Sequence, residues 1–405
     1  MTKKVTDKIT AVIPAYSDIS IVNNSVIGLS TQWIPDDTFE LEILIVNDNV
    51  NKKSQYDYYL SKEFSMIVKP HIRIKILEND FNMGQGMSRN RGIENASSDW
   101  ILLCDEDDIY APNAVYRFWE TLEKEHNAGE LKLPISVIAA PLYGFDKNGY
   151  RQLITSKSIW VNSKLYNRKF LRKHNIKFPD GMNSHRSEDY PFIRCLDYAV
   201  AHDKSYKRID FNDDTDTFYW WVPNQTSRSR CDRHYGSLLA GYTMKSSNII
   251  FDYFSEFNKK NNIEDLEDEY MKHEILNMTI YSFYNYLWFL KDLAQGWEDC
   301  KEEYWNILRE SVKDLIKKLK VYWKEIVPSD ISDMLYQVKH HSDCRFIESW
   351  IGDFTSFIEQ EHFTLNYSFD EIKKYCSTLK FDGANHEINA PYVKAWRDRH
   401  DRNDS

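Results

Sequence analysis

Four consecutive acidic residues, Asp105 to Asp108, directly follow the apolar segment WILLC at residues 100–104. A buried strand that ends in a carboxylate cluster presents an oxygen-rich site that suits Mg²⁺ or Mn²⁺, which share carboxylates with substrate phosphates. Because Pro112 follows closely, the same residues could equally form a solvated acidic turn. The motif therefore predicts either a divalent-metal site or a turn.

A glycine-containing segment, NMGQGMSRNRG at residues 82–92, precedes this cluster. Its glycines could open a helix whose amides face an anion, and the guanidinium groups of Arg89 and Arg91 suit a diphosphate. The dinucleotide pattern GxGxxG fails because position 89 is Arg, and the P-loop ending GK[ST] is missing. An ordinary transition from loop to helix explains the glycines as well.

A third motif, HRSEDYPF at residues 185–192, precedes the helical run IRCLDYAV. Pro191 fits the first turn of a helix. Glu188 and Asp189 are then either first-turn acids that interact favourably with the helix dipole, or they include a general base held rigidly at a helix start.

The elements around these motifs alternate between apolar strands and helical patterns. Strands are predicted at 10–13, 41–46, 72–77 and 100–104, and helices at 19–32, 55–64 and 84–95. This alternation predicts βαβ units and a mostly parallel sheet covered on both faces, which we expect 136–140 and 217–222 to continue. Such sheets bind ligands at the carboxyl ends of their strands. The polar residues predicted there are Tyr16, Ser17, Asp18, Asn47, Asp48, Asn79, Asp80 and Asp105 to Asp108.

In combination, the motifs resemble the family 2 glycosyltransferases, over roughly residues 8–235. In chain order, IPAYSD is similar to the family's P-x-Y-N turn, VNDNV to VDDGS, NMGQGMSRNRG to N-x-G-x-x-x-A-R-N-x-G, DEDD to D-x-D-D, and Glu188-Asp189 to its E-D pair. The chain departs from the family at Asn47, at Asn49-Val50 and at Ser88. The resemblance implies an α/β GT-A catalytic domain with a mixed, mostly parallel sheet, followed here by an α-helical C-terminal region.

The resemblance also implies the chemistry: transfer of one sugar, with inversion, from a nucleotide-diphosphate sugar (usually a UDP-sugar) to an acceptor hydroxyl. Asp189, beside Glu188, would be the general base, and Asp107, with Asp105 and His234, would hold Mn²⁺ or Mg²⁺. A structural role is the alternative for His234. The nucleotide-sugar-binding residues would be Pro14, Tyr16, Asp18, Asn47, Asp48, Gly84, Arg89, Asp105 and Glu106. The processive motif Q-x-x-R-W is missing, which favours single transfers.

Two adjacent tryptophans, Trp220 and Trp221, close the last strand-like run. Flat rings stack on sugar faces, so the pair is a candidate acceptor platform, although two packed core residues would produce the same pattern.

The composition of the 405 residues bounds the class of protein. The net charge of −10 argues against a nucleic-acid binder, and the six scattered cysteines are expected to be reduced thiols. The N-terminus lacks the sustained apolar segment of a signal peptide, and residues 275–290 are too short and polar to span a membrane. We therefore expect a soluble, cytoplasmic protein.

Two domains are predicted: a catalytic domain at 1–240 and an α-helical domain at 241–405, where apolar residues recur at helical spacing from Tyr304 to Leu319. The C-terminal helices could recognise the acceptor, form an oligomer or buttress the catalytic domain.

A saccharide or surface glycan is the expected acceptor, and two alternatives remain. The first is a hydroxylated base in phage DNA, which would need a basic groove leading to Asp189. Its candidate residues are Arg168, Lys169, Arg172, Lys173, Arg228 and Arg230. The second is a non-catalytic carbohydrate-binding protein, against which Asp189 argues because binding needs no base.

Overall fold

The computed structural model describes residues 6–36, 38–127, 133–145, 151–182, 188–211, 218–222, 236–263, 270, 274, 286, 289–290, 292–296, 300–322 and 363–378. The chain divides into two compact units. Unit 1 comprises Met1–Asn224 and Asp252–Glu264, and unit 2 comprises Gln225–Phe251 and Asp265–Ser405. The boundary predicted near residue 240 lies within a helix, Gly236–Asn261, that contributes residues to both units.

Unit 1 is built on a seven-stranded sheet. Its strands are β1 (Lys8–Ala15), β2 (Glu40–Asn47), β3 (Ile72–Glu78), β4 (Trp100–Leu103), β6 (Ile135–Ala139), β9 (Lys164–Asn167) and β10 (Lys207–Asp210). The order is β10-β6-β9-β4-β1-β2-β3, and every neighbouring pair is parallel except those that include β9. Continuous apolar runs leave β1, β2, β4 and β6 almost fully buried, as in a sheet covered on both faces. The predicted mixed, mostly parallel α/β fold is confirmed.

A second, four-stranded sheet comprises β5 (Ile109–Tyr110), β7 (Leu142–Phe145), β8 (Arg151–Ile154) and β11 (Tyr219–Trp220), in the order β5-β11-β7-β8. The strand predicted at 217–222 is therefore real at Tyr219–Trp220, but the expectation that it continues the main sheet is wrong. Its backbone pairs with β5 and β7 instead.

The helices of unit 1 flank these strands. They are α1 (Ile19–Ser30), α2 (Lys53–Tyr56), α3 (Lys62–Ser65), α4 (Gln85–Asn95), α5 (Ala114–Asn127), α6 (Arg168–Lys173) and α7 (Asp189–His202). The single helix predicted over 55–64 is wrong: α2, a 3₁₀ turn at Asp57–Leu60 and α3 replace it. Ser61 takes an extended backbone and caps α3 by accepting from Phe64 N, which stops a continuous helix.

The helices described in the C-terminal part are α8 (Gly236–Asn261), α9 (Glu302–Tyr322) and α10 (Phe369–Cys376). The amphipathic pattern predicted from Tyr304 to Leu319 is confirmed by α9, whose Leu308, Val312 and Leu319 are buried. A capping box between Ser368 and Glu371 begins α10. No helix among the described residues is long and apolar enough to cross a membrane. Most of the stretch 275–290 lies outside them.

Candidate active site

The carboxyl ends of β1, β2, β3 and β4 meet at one edge of the main sheet. Their register pairs Ala15 with Asn47 and Asn47 with Glu78, while Cys104 N donates to Val12 O. The polar residues predicted from the strand ends are therefore brought to the same edge. We call this edge the carboxyl edge.

Arg89, on α4, is the centre of the site. Its Nη2 donates to Asp105 Oδ1 at 2.7 Å, and its Nη1 donates to Asp189 Oδ1 at 3.0 Å and to Glu188 Oε1 at 3.2 Å. The guanidinium is 1% exposed and lies over the Phe178 ring at 5.1 Å from its centroid. Burial alone would lower the pKa of Arg89, but the carboxylates of Asp189, Asp105 and Glu188 raise it, so the side chain is a permanent cation. Arg89 thus joins the DEDD and ED motifs.

Asp105 has hydrogen bonds at both carboxylate oxygens. Oδ1 also accepts from Gln85 Nε2 at 3.0 Å, and Oδ2 accepts from Asn162 Nδ2 at 2.9 Å. Its backbone N donates to the hydroxyl of Tyr219. Asp105 is therefore held on three sides by protein groups.

Glu106 and Asp108 anchor the acidic turn. Glu106 accepts from the backbone N of Tyr16 and Ser17 and from Ser17 Oγ, which ties the turn to the end of β1. Asp108 accepts from Tyr219 Oη at 2.7 Å and Val222 N at 2.8 Å, which ties it to the second sheet. Burial raises the pKa of both carboxyl groups, and the charges of Asp105 and Asp107 raise that of Asp108 further.

Asp48 organises the loop before α4. Its carboxylate accepts from Met83 N at 2.7 Å, Gly84 N at 2.8 Å and Asn79 Nδ2 at 2.8 Å. Gly84 itself has a φ of +83°, a left-handed conformation that favours glycine. Asp48, predicted near the base or ribose, thus makes its hydrogen bonds to this loop.

The segment Arg89–Gly92 packs α4 against its surroundings. The Asn90 side chain exchanges two 2.8 Å hydrogen bonds with the backbone of Phe178, and Arg91 donates to Asn79 Oδ1 at 2.6 Å. A Cβ at Gly92 would lie 2.2 Å from Val12 Cγ1, so only glycine allows the helix this close to β1. Arg91, predicted as a phosphate partner, instead contacts the loop after β3.

The ED pair lies at the start of α7, which begins at Asp189 with Glu188 at its N-cap. Asp189 keeps 28% of its side-chain surface accessible. Burial raises its pKa to about 7, Arg89 opposes that rise, and Glu188 and Asp105 add to it. A carboxyl group with a pKa near neutrality can accept a proton efficiently.

The other predicted site residues are more scattered. Tyr16 is 51% exposed at the end of β1, after Pro14, whereas Asp18 forms an ion pair with Lys52. Asn47 is buried and donates to Glu78. In the second sheet, Trp220 is 37% exposed, and the Trp221 ring meets the Trp160 ring edge-on at 5.6 Å between centroids.

Two of the three predicted metal ligands, Asp105 and Asp107, are among the described residues. Asp107 lies in the acidic turn, where its backbone O accepts from Asn24. His234 lies outside the described residues. Within the residues that the structure describes, no group of three or more His, Cys, Asp or Glu side chains is arranged to hold a metal ion.

Several functional contacts were missed by the sequence prediction. Gln85 and Asn162 both donate to Asp105, Tyr219 contacts Asp105 and Asp108, and Phe178 packs on Arg89. Gln85 follows the first glycine of a motif already identified, so it could have been included. No sequence signal marks Asn162 or Phe178, because tertiary packing alone brings them to Arg89 and Asp105.

The basic groove to Asp189 that a DNA acceptor would need is not formed by its described candidate residues Arg168, Lys169 and Lys173. Helix α6 begins after Asn167, which pairs with Trp100 at the amino end of β4, so it lies at the edge opposite Asp105. There, Arg168 and Lys169 pair with Asp99, and Lys173 pairs with Asp203. Arg228 and Arg230 lie outside the described residues.

Known proteins are similar to this chain over part of its length. Residues 10–187 match the model of glycosyl transferase family 2. A poly(ribitol-phosphate) beta-glucosyltransferase of Bacillus spizizenii is 27% identical over 220 residues, which cover 52% of this chain and 32% of the relative. An uncharacterised glycosyltransferase of Methanocaldococcus jannaschii is 28% identical over 187 residues, which cover 42% of this chain and 58% of the relative.

The chain thus spans about a third of the length of the Bacillus spizizenii relative and somewhat over half of the length of the Methanocaldococcus jannaschii relative. A crystal structure of S. aureus TarS aligns at 15% identity with a TM-score of 0.48, covering 77% of this chain and 49% of TarS. The family match spans the IPAYSD, VNDNV, NMGQGMSRNRG and DEDD motifs. Residues 10–187 of this chain therefore match the family 2 glycosyltransferases.

Proposed function

We propose that unit 1 transfers one sugar, with inversion, from a nucleotide-diphosphate sugar, with UDP as the nucleotide, to the hydroxyl of an acceptor. One observation carries the proposal: a single buried arginine, Arg89, hydrogen-bonds both Asp105 of the acidic turn and Asp189 at the start of α7. Two motifs that are more than eighty residues apart in the chain therefore form one site.

Asp189 is the proposed general base. It is accessible, lies at a helix start and has a pKa raised to about 7 by burial. It takes the proton of the acceptor hydroxyl as that oxygen forms a bond to C1 of the sugar. The bond between C1 and the diphosphate oxygen breaks at the same time, and the nucleoside diphosphate leaves with the electron pair. Because attack and departure occur on opposite sides of C1, a single displacement inverts the configuration.

The charge of the site fits a divalent cation, Mn²⁺ or Mg²⁺. The acidic turn and the ED pair bring six acidic side chains to the carboxyl edge, and Arg89 is the cation that pairs with three of them. Both carboxylate oxygens of Asp105, Glu106 and Asp108 already accept hydrogen bonds from protein donors.

We assign Asp107 of the turn as the metal ligand because the family resemblance places it there, and oxygens of the diphosphate would complete the coordination. Such an ion supplies charge neutralisation for a departing diphosphate. His234 remains a second candidate ligand. Asp105 is better suited to hold Arg89 than to bind metal, because both of its oxygens are engaged.

For the nucleotide, we assign the loops that follow β1 and β2. Tyr16 is exposed there and can stack on a base, while Pro14, Asp18, Asn47, Asp48, Gly84 and Glu106 shape the loops around it. The family resemblance favours UDP. The departures at Asn47 and Asn49-Val50 fall at the end of β2 and in the loop after it, and the panel of donors below measures the base preference.

A saccharide or surface glycan is the proposed acceptor. The relative from Bacillus spizizenii is named for action on poly(ribitol-phosphate), a hydroxyl-rich polymer. Trp220 and Trp221 are the proposed stacking surface. A DNA acceptor is disfavoured because the basic helix α6 lies at the opposite edge of the sheet, where Arg168, Lys169 and Lys173 form ion pairs.

A thermal-shift panel tests the donor site. UDP-, GDP-, CDP- and dTDP-sugars are added, each with and without Mn²⁺, to the wild-type chain, to Asp107→Ala and to a control, Asp99→Ala, at the opposite edge. A ligand at about a hundred times its dissociation constant stabilises the folded state by about 2.7 kcal/mol. We expect a Mn²⁺-dependent shift with UDP-sugars in wild type and Asp99→Ala, and its loss in Asp107→Ala. No shift with any donor in folded wild-type protein would overturn the proposed function in favour of a non-catalytic binding protein.

A further inference from the structure

The turn that leads into β9, residues 160–164, is largely buried although three of its residues, Asn162, Ser163 and Lys164, are polar. Val161, Asn162, Ser163 and Lys164 are all between 0% and 3% exposed. Ser163 has a φ of +60°, a left-handed conformation that is costly for a residue with a Cβ. A residue keeps such a strained backbone conformation only where the surrounding structure imposes it, and strained residues cluster at active sites.

The turn interacts with both ends of the proposed site. Asn162 Nδ2 donates to Asp105 Oδ2 at 2.9 Å, and the backbone of Val161 contributes to lowering the pKa of Asp189. The Trp160 ring, in the same turn, contacts Trp221, the proposed acceptor surface. One short segment thus contacts the residue that holds Arg89, the proposed base and an acceptor tryptophan.

The turn is itself held firmly. Lys164 Nζ donates to Trp160 O, Tyr166 Oη donates to Val161 O at 2.6 Å, and Ser163 Oγ donates to Pro141 O at 3.1 Å. These bonds fix the backbone from which Asn162 projects, so the position of its amide is set before any substrate binds.

Asn162 makes an incomplete set of hydrogen bonds. Its Oδ1 is buried and has no partner among the described residues. Leaving a buried acceptor unsatisfied destabilises the folded state, so an asparagine kept only for stability would be a poor choice here. Asn167, at the far end of β9, provides the contrast. Its Nδ2 donates to Ile135 O and its Oδ1 accepts from Lys169 N and Phe170 N at the start of α6.

From these observations we propose that Asn162 is a positioning residue: it fixes Asp105, and through Asp105 the arginine that holds Asp189, in the geometry needed for transfer. The inference rests on the proposed glycosyltransferase function. It assigns Asn162 no contact with substrate.

The test compares Asn162→Ala with Asn167→Ala in the full chain. Both remove one buried side-chain amide next to the same strand. Release of nucleoside diphosphate is followed with the nucleotide sugar that stabilises the wild-type chain in the panel above. For Asn162→Ala we expect kcat to fall about 10- to 100-fold, as is typical when a group that orients a site residue is removed. KM for the donor and the melting temperature should stay close to wild type. For Asn167→Ala we expect the reverse, a lower melting temperature with kcat unchanged.

Asn162→Asp gives a second measure, since it replaces the donor to Asp105 with a like charge and should lower kcat further than the alanine variant. The inference is overturned if Asn162→Ala keeps the wild-type kcat, or if its kcat falls only together with its melting temperature, as a structural role requires. Failure of the proposed function is distinct: the wild-type chain would then neither bind nor turn over any donor.

Discussion

The two edges of the seven-stranded sheet differ in how their acidic and basic side chains are paired. At the carboxyl edge, acidic residues from the DEDD and ED motifs gather around one arginine, and the pKa values of Asp189, Glu106 and Asp108 rise. At the opposite edge, acidic side chains are surrounded by basic ones. Asp99, for example, contacts both Arg168 and Lys169.

Asp203 at that second edge contacts Lys173 and His174, and the lysine hydrogen bond, with those of Ser205 and His174, outweighs burial and lowers its pKa. At this edge each of the two acids pairs with two basic side chains. The like charges concentrated at the carboxyl edge oppose stability, so a cation that binds there has free energy to gain.

The largest expected effect comes from Asp189→Asn. It removes the proposed base while keeping the shape of the side chain, so kcat should fall by about 10²- to 10⁴-fold, the usual contribution of a general base. Because one of several like charges disappears, the melting temperature should not fall. Steady-state kinetics and a thermal melt measure both. Activity within a factor of a few of wild type would remove Asp189 from the mechanism.

Arg89→Met removes the cation from the carboxyl edge. Leaving buried carboxylates without their partner should cost about 3–5 kcal/mol of unfolding free energy at pH 7.5. The loss should shrink as the pH falls, because carboxyl groups with raised pKa values take up protons in the folded state before the unfolded state does. Urea denaturation at pH 7.5 and pH 5 measures the change. Arg168→Met at the opposite edge is the matched control and should cost less, with little dependence on pH.

The pH dependence of the reaction tests the raised pKa of Asp189 at the carboxyl edge. The proposed base acts when deprotonated, and burial raises the pKa of Asp189 to about 7. In the absence of other titrations, kcat/KM should therefore rise about tenfold per pH unit below about pH 7 and level off above it. Initial rates from pH 5.5 to 8.5 at constant ionic strength check this. A flat profile across that range would indicate that the base is an ordinary exposed carboxylate.

The smallest effect is expected from Asp99→Asn. It breaks the ion pairs with Arg168 and Lys169, but Asp99 is 39% exposed, and such pairs contribute about 1 kcal/mol or less. The free energy of unfolding should fall by no more than that, the difference should diminish in high salt, and kcat should not change. A large loss of activity would show that the two edges are coupled.

Much of the main sheet could be predicted from the sequence. The four apolar runs at 10–13, 41–46, 72–77 and 100–104 all lie within or against strands β1 to β4, each one longer or shorter by a few residues. Continuous apolar runs fit only a sheet that is covered on both faces, and their polar ends then meet at one edge. The start of α7 at the ED pair was likewise marked locally, by Pro191 in the first turn.

The partner of each charged side chain could not be predicted in this way. Arg89 was assigned to phosphates, yet its hydrogen bonds go to three carboxylates, one of which lies a hundred residues away. The helix predicted over 55–64 was interrupted because Ser61 caps a new turn, and β11 joined the second sheet because its backbone found partners there.

By itself, therefore, the sequence determined which residue types stand at which strand and helix ends, because hydrophobic periodicity and motif spacing are local properties of the chain. Only the tertiary structure decided which of those residues share a hydrogen bond. Asn162 reaches Asp105 because an antiparallel strand, β9, inserts between β4 and β6, and the basic helix α6 is carried to the opposite edge by that same strand. Strand pairing over long separations selects these neighbours, and no local pattern encodes that choice.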